Sequence, residues 1–166
     1  METQNNASEV QDFTARYLAT KLKVLEYEKR NLRVLFAAFK AAGIKEATYE
    51  YEGRGDSGDY EDMSFYDTDG KLIESAKINA LQVEVIEWNH CLVNEPKAVT
   101  KPLEEALRYF CYFVIEEAGH VGWENNDGGG GEITFYVSLG EFNLEHYYNV
   151  VHREESSHSS DELFDE

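Results

Sequence analysis

Through the first third of the chain, apolar positions recur at three- and four-residue steps. Val10, Phe13, Tyr17, Val24, Leu25, Leu32, Leu35, Phe36 and Phe39 form the series, which is the spacing of one face of an α-helix. Ser8 stands where an N-cap is wanted, and Asp12 lies near the positive end of the helix dipole. Ala41-Ala42-Gly43 closes the pattern, with Gly43 as a left-handed stop. Charges at Glu26, Glu28, Lys29 and Arg30 interrupt the stripe. One long helix and two helices with a break there both fit.

The period then changes to two. Residues 45–52, KEATYEYE, set Ala47, Tyr49 and Tyr51 against Glu46, Thr48, Glu50 and Glu52. That alternation, with Tyr and Thr, predicts a strand. Residues 60–66, YEDMSFY, predict its partner. The link between them, GRGDSGD, has the glycines and self-bonding Asp and Ser of a hairpin loop. Residues 67–70, DTDG, form a second turn, and residues 81–88, LQVEVIEW, predict another strand.

A second helix is expected from Thr100, as N-cap, to Ala118, with Pro102 in its first turn and Gly119 as its stop. Its apolar face is Leu103, Ala106, Leu107, Phe110, Phe113, Val114 and Ala118. The stretch HVGWENNDGGGG predicts a loop. Residues 132–138 and 141–151 predict a last hairpin around Leu139-Gly140. The resulting class is α+β: an antiparallel sheet of four to five strands, with an N-terminal helical segment and a second helix packed on one face.

Composition fits one such domain. Of 166 residues, 42% are apolar and 13% aromatic, enough to build a core. Residues 1–151 are read as the domain, with 1–7 flexible. Residues 152–166 are read as a disordered acidic tail. No apolar run is long enough to cross a bilayer. The start, METQNNASEV, lacks the basic and apolar regions of a signal peptide. The expectation is a cytoplasmic protein with no membrane contact. Cys91 and Cys111 fall in no CxxC or Cys/His ligand spacing, so two free thiols are expected.

Charge narrows the functional classes. Fifteen basic residues face 33 acidic ones, for a net −18. The tail accounts for −5 of this, leaving −13 on the body. Such a surface repels phosphate and disfavours direct nucleic-acid binding. It favours a protein partner with a basic surface, or cations.

Two familiar tags in GRGDSGD do not survive inspection. Gly55-Asp56-Ser57-Gly58 spells the core of a serine-protease motif, which needs a general base and an orienting acid. No histidine precedes Ser57; the five are His90, His120, His146, His152 and His158. Arg54-Gly55-Asp56 spells an adhesion tripeptide, but adhesion requires secretion.

Two segments together carry a resemblance. Tyr51, Gly53, Gly55, Asp56, Ser57 and Gly58 fill a Tyr-x-Gly-x-Gly-Asp-Ser-Gly hairpin. Gly122, Trp123, Glu124, Asn125, Asn126, Asp127 and Gly128 fill a Gly-Trp-Glu-Asn-Asn-x-Gly loop. In this order they resemble a family of small uncharacterised bacterial proteins of the domain-of-unknown-function kind, over roughly Leu32 to Val151. The resemblance implies a fold and a site, and no activity.

The implied site has two loops. Asp56 and Ser57 lie on one, and Trp123, Glu124, Asn125, Asn126 and Asp127 on the other. If the loops share one end of the sheet, their acids converge. Asp56, Glu124 and Asp127 are then the candidate metal ligands, an oxygen set suited to Mg²⁺ or Ca²⁺. The spacing is not that of an EF-hand. Asn-Asp-Gly is also ordinary turn chemistry, and Trp123 can pin a helix end to the sheet. The leading expectation is a non-enzymatic binding or accessory protein, with a nucleic-acid mimic as one form. The alternative is a divalent-metal-dependent hydrolase using clustered carboxylates.

Overall fold

A computed structural model describes residues 3–53, 59–88, 96–125 and 128–150; for residues 3–13 and for Asp59 it describes the backbone. The N-terminal series forms one continuous helix, α1 (Thr3–Ala41). It already includes Ser8, which therefore lies inside the helix and is not its N-cap. The charges at 26–30 do not break it, because they take up separate roles. Lys29 pairs with Glu26 on the exposed side, and Glu28 is buried. Gly43, at φ 70°, ends the segment as expected.

Strands β1 (Ile44–Gly53) and β2 (Asp59–Asp67) pair antiparallel. The turn after β2 is closed by Asp67, whose Oδ1 accepts from the amides of Asp69 and Lys71. A short helix, α2 (Ser75–Asn79), leads to β3 (Gln82–Glu87). β3 pairs with β4 (Lys97–Pro102) as a separate two-stranded ribbon. Thr100 is thus a strand residue, paired with Glu84, and does not cap a helix. Helix α3 (Leu103–Glu117) starts directly after Pro102, without a side-chain cap. The Leu103 amide instead donates to the Leu81 carbonyl at 2.9 Å. Glu104 and Glu105 in the first turn suit the helix dipole.

Strands β5 (Gly129–Tyr136) and β6 (Glu141–Tyr148) complete the main sheet, in the order β2-β1-β5-β6, antiparallel throughout. Gly129, Gly130 and Gly131 are strand residues and not loop. The class is α+β, with four strands in the main sheet. Among the described residues no helix is long and apolar enough to cross a membrane. Cys91 and the segment 152–166 lie outside the described residues.

Period two gives the sheet two unlike faces. On the inner face, Phe65, Ala47, Phe135 and Phe142 stand in register across all four strands. Ala47 leaves room for Phe39 of α1, whose ring meets Phe65 at 6.3 Å and Phe135 at 6.0 Å. Phe110 of α3 meets Phe135 and Phe142. Leu35, Phe39, Leu103 and Leu107 are fully buried there. Full burial of each such side chain contributes roughly 1.5–3 kcal/mol.

The ribbon is tied to α1 by a buried polar latch. Asn31 presents its amide to the β3 backbone: Nδ2 donates to the Ile86 carbonyl, and Oδ1 accepts from the Ile86 amide. Glu28 accepts from the Trp88 indole at 2.6 Å and from Asn31 Nδ2 at 3.3 Å.

Candidate functional site

The end of α3 sets the position of the loop that follows. Gly119, at φ 86°, donates to the Glu116 carbonyl, and the His120 amide donates to the Ile115 carbonyl. This bond pair is a Schellman closure, which reverses the chain on a left-handed glycine. It delivers His120 onto the inner face at the end of the sheet. There its ring stacks on His146 of β6, with centroids 3.9 Å apart and planes 18° apart.

His146 belongs to a register row of Glu61, Tyr51, Gly131 and His146. The Tyr51 hydroxyl reaches across Gly131 to His146 Nδ1 at 2.7 Å. His120 Nδ1 meets the Tyr148 hydroxyl at the same distance. His146 Nε2 is buried and has no hydrogen-bond partner among the described residues. Burial first, and the neighbouring His120 second, push His146 below the ordinary histidine value. Burial raises the Tyr51 phenol to about 12, so it stays protonated. At the row's other end, Glu61 pairs with Arg108 at 3.0 Å and accepts from the Tyr112 hydroxyl.

Trp123 closes the same cluster. It is 5% exposed, and its ring meets Tyr51 edge-on at 4.8 Å. Its position suits a pin between loop and sheet more than a surface contact. The backbone of Trp123 and Glu124 lies directly on Gly53, where a Cβ would collide with the Trp123 carbonyl and Glu124 Cα. The base of the first hairpin and the loop after α3 therefore do touch. Glu124 is half-buried and Asn125 exposed. The Asn125 amide and carbonyl are used by Gly122 and Gly128 in a tight turn. Asp56, Ser57, Asn126 and Asp127 lie outside the described residues, and with them two of the three expected metal ligands. Among the described residues no group of three or more His, Cys, Asp or Glu is placed to hold a metal ion. Cys111 is buried and free, and burial holds its thiol well above the usual range.

The outer face of the sheet carries an alignment of acids that strand pairing alone creates. Asp62, Glu50, Glu132 and Glu145 stand in register, one from each strand. Neighbouring strands lie about 4.8 Å apart. Like charges directly opposite destabilise a sheet. Among the described residues, only hydroxyl and amide groups relieve this row: Thr134 donates to Glu132 and Asn143 to Glu145. None of the four carboxylates has an ion pair among the described residues. Next to the row, Tyr60, Glu52, Gly130 and Tyr147 form a second register set. Tyr147 lies over Gly130, where a Cβ would stand 2.6 Å from its hydroxyl. Glu50, Glu52, Glu132 and Glu145 line a groove of about 450 Å³, with Tyr60 and Tyr147 as aromatic walls. Alternating glutamates were visible in each strand. Their alignment depends on register, which no single strand reveals.

A family model described as a family of unknown function (DUF6878) matches residues 27–160. The match takes in the sheet, α3, the loop after it and the C-terminal part of α1. No curated protein and no solved structure matches the chain. The chain belongs to that family of unknown function.

Proposed function

We propose that this family member is a binding protein whose outer sheet face receives a basic segment of a protein partner. The carrying observation is the four-strand row Asp62, Glu50, Glu132 and Glu145 beside the groove between Tyr60 and Tyr147. A partner's cations would relieve the repulsion within the row. Arginine suits the groove best, because its planar fork pairs with carboxylates and stacks on aromatic faces. Tyr60 is 55% and Tyr147 48% exposed, so both rings are within reach. The net charge of −18 would speed the encounter with such a partner.

The chain's own basic surface argues for a different molecule as partner. Lys23, Arg30, Arg33 and Lys40 form an exposed stripe on α1. The helix that carries it packs its buried side on the inner face of the sheet. Docking it onto a second copy would be head to tail, a contact that closes only as a ring or runs on as a filament.

Calorimetry with an arginine-rich peptide tests the reading. Combining Glu50→Gln, Glu132→Gln and Glu145→Gln should weaken binding at least tenfold, about 1.4 kcal/mol. A charge-matched control, Glu74→Gln, Glu84→Gln and Glu116→Gln, should leave it nearly unchanged. Equal weakening by both sets would mean that net charge alone attracts the peptide, and would sink the proposal.

A further inference from the structure

We propose that the stacked pair His120 and His146 is an acid-released latch, which holds the 118–125 segment on the sheet when both rings are neutral and frees it when they are protonated. The segment is held by the His120 ring on His146, the His120 bond to the Tyr148 hydroxyl, the Trp123 ring on Tyr51 and the Trp123–Glu124 backbone on Gly53. The first is titratable. Two imidazolium rings 3.9 Å apart in a partly buried setting repel strongly. His146 is poorly prepared for charge, since its Nε2 is buried without an acceptor among the described residues. Protonation there would strand an N–H donor away from water, a further cost.

Among the described residues, the surrounding groups do not supply a compensating anion. From β1, Tyr51 remains a phenol. From β6, Tyr148 bonds His120 through a hydroxyl, while Glu145 and Tyr147 point to the opposite face. From β2, Glu61 of the same row is engaged by Arg108 and Tyr112. From α3, Cys111 is a buried neutral thiol. On the segment itself, Glu124 rests its backbone on Gly53.

The sign follows from the lowered His146 value. A base whose folded pKa is depressed contributes fully above its unfolded value, near 6.5. That contribution is lost as pH falls through this value toward the folded one. Opening of the segment would uncover Trp123 and part the loop from the first hairpin at the end of the sheet.

Hydrogen exchange on the full chain tests this, with rates corrected for intrinsic pH dependence. Between pH 7.5 and 5.5, protection of residues 118–125 should fall at least tenfold, while α1 and β1 stay protected. His120→Phe keeps a flat ring without a charge and should clearly reduce the fall. Unchanged protection in the parent protein, or an equal fall in the variant, would overturn the proposal. A nuclear magnetic resonance titration of the unmutated protein gives a second readout. The Trp123 indole signal should move with the His146 imidazole signal, and an indole signal that stays fixed would also overturn the proposal.

Discussion

The hydroxyl of Tyr51 and Nδ1 of His146 meet at 2.7 Å, directly above Gly131, which stands between them in register. The bond exists because the middle residue has no side chain. A Cβ on Gly131 would collide with the Glu145 carbonyl and come within 2.7 Å of the Tyr51 hydroxyl. Gly131→Ala is therefore expected to destabilise the protein by roughly 1–3 kcal/mol, the usual cost of overpacking. A chemical denaturation midpoint measures this. An unchanged midpoint would mean that the rings do not occupy this space.

Trp123 provides a second test. Its buried ring rests on Tyr51, and truncating a buried aromatic costs about 3–5 kcal/mol. Trp123→Ala should lower Tm clearly and expose the 118–125 segment to proteolysis. Asn125→Ala, one turn further on and exposed, should leave both unchanged.

How much of this was legible beforehand depended on range. Gly43, Gly119 and the Asp67 turn are local features, set by neighbouring residues, and could be read directly. Period two in residues 45–52 revealed both faces of β1. Long-range pairing was not legible. Thr100 looks like a cap until residues 97–102 are seen to pair with 82–87. The glycine run looks like a loop, because glycine is depleted in strands. It is strand because rings from both neighbouring strands need the space. His120 and His146 lie far apart in sequence, and only the Schellman closure brings them together. For the two-loop site, contact of Gly53 with Trp123 and Glu124 is present, while Asp56, Ser57, Asn126 and Asp127 fall outside the described residues.

Glu28 makes a prediction about pH. Burial raises its carboxyl above the ordinary value of 4.5, against the opposing pull of its bonds to Trp88 and Asn31. The folded state then holds this proton more tightly than the unfolded state. Its contribution is greatest at low pH and declines as pH rises through 4.5 to the raised value. Relative to Glu28→Gln, which does not titrate, the parent protein should lose stability between pH 4 and pH 7. Urea midpoints at both values check this. A constant difference between the two proteins would contradict it.

Asn31 should matter more than its polarity suggests. Asn31→Leu would strand the Ile86 amide and carbonyl and remove a donor from Glu28. An unsatisfied buried group costs about 1–3 kcal/mol. The two-stranded ribbon should then exchange its amide hydrogens faster than the main sheet, which hydrogen exchange would resolve.

Binding of basic chain by the outer sheet face is tested most directly by chemical-shift mapping. On titration with an arginine-rich peptide, the largest amide shifts should fall at Glu50, Glu52, Tyr60, Glu132, Glu145 and Tyr147, and should fade as salt is raised. Shifts spread evenly over all acidic surfaces, or centred on α3 and the β3–β4 ribbon, would contradict the account.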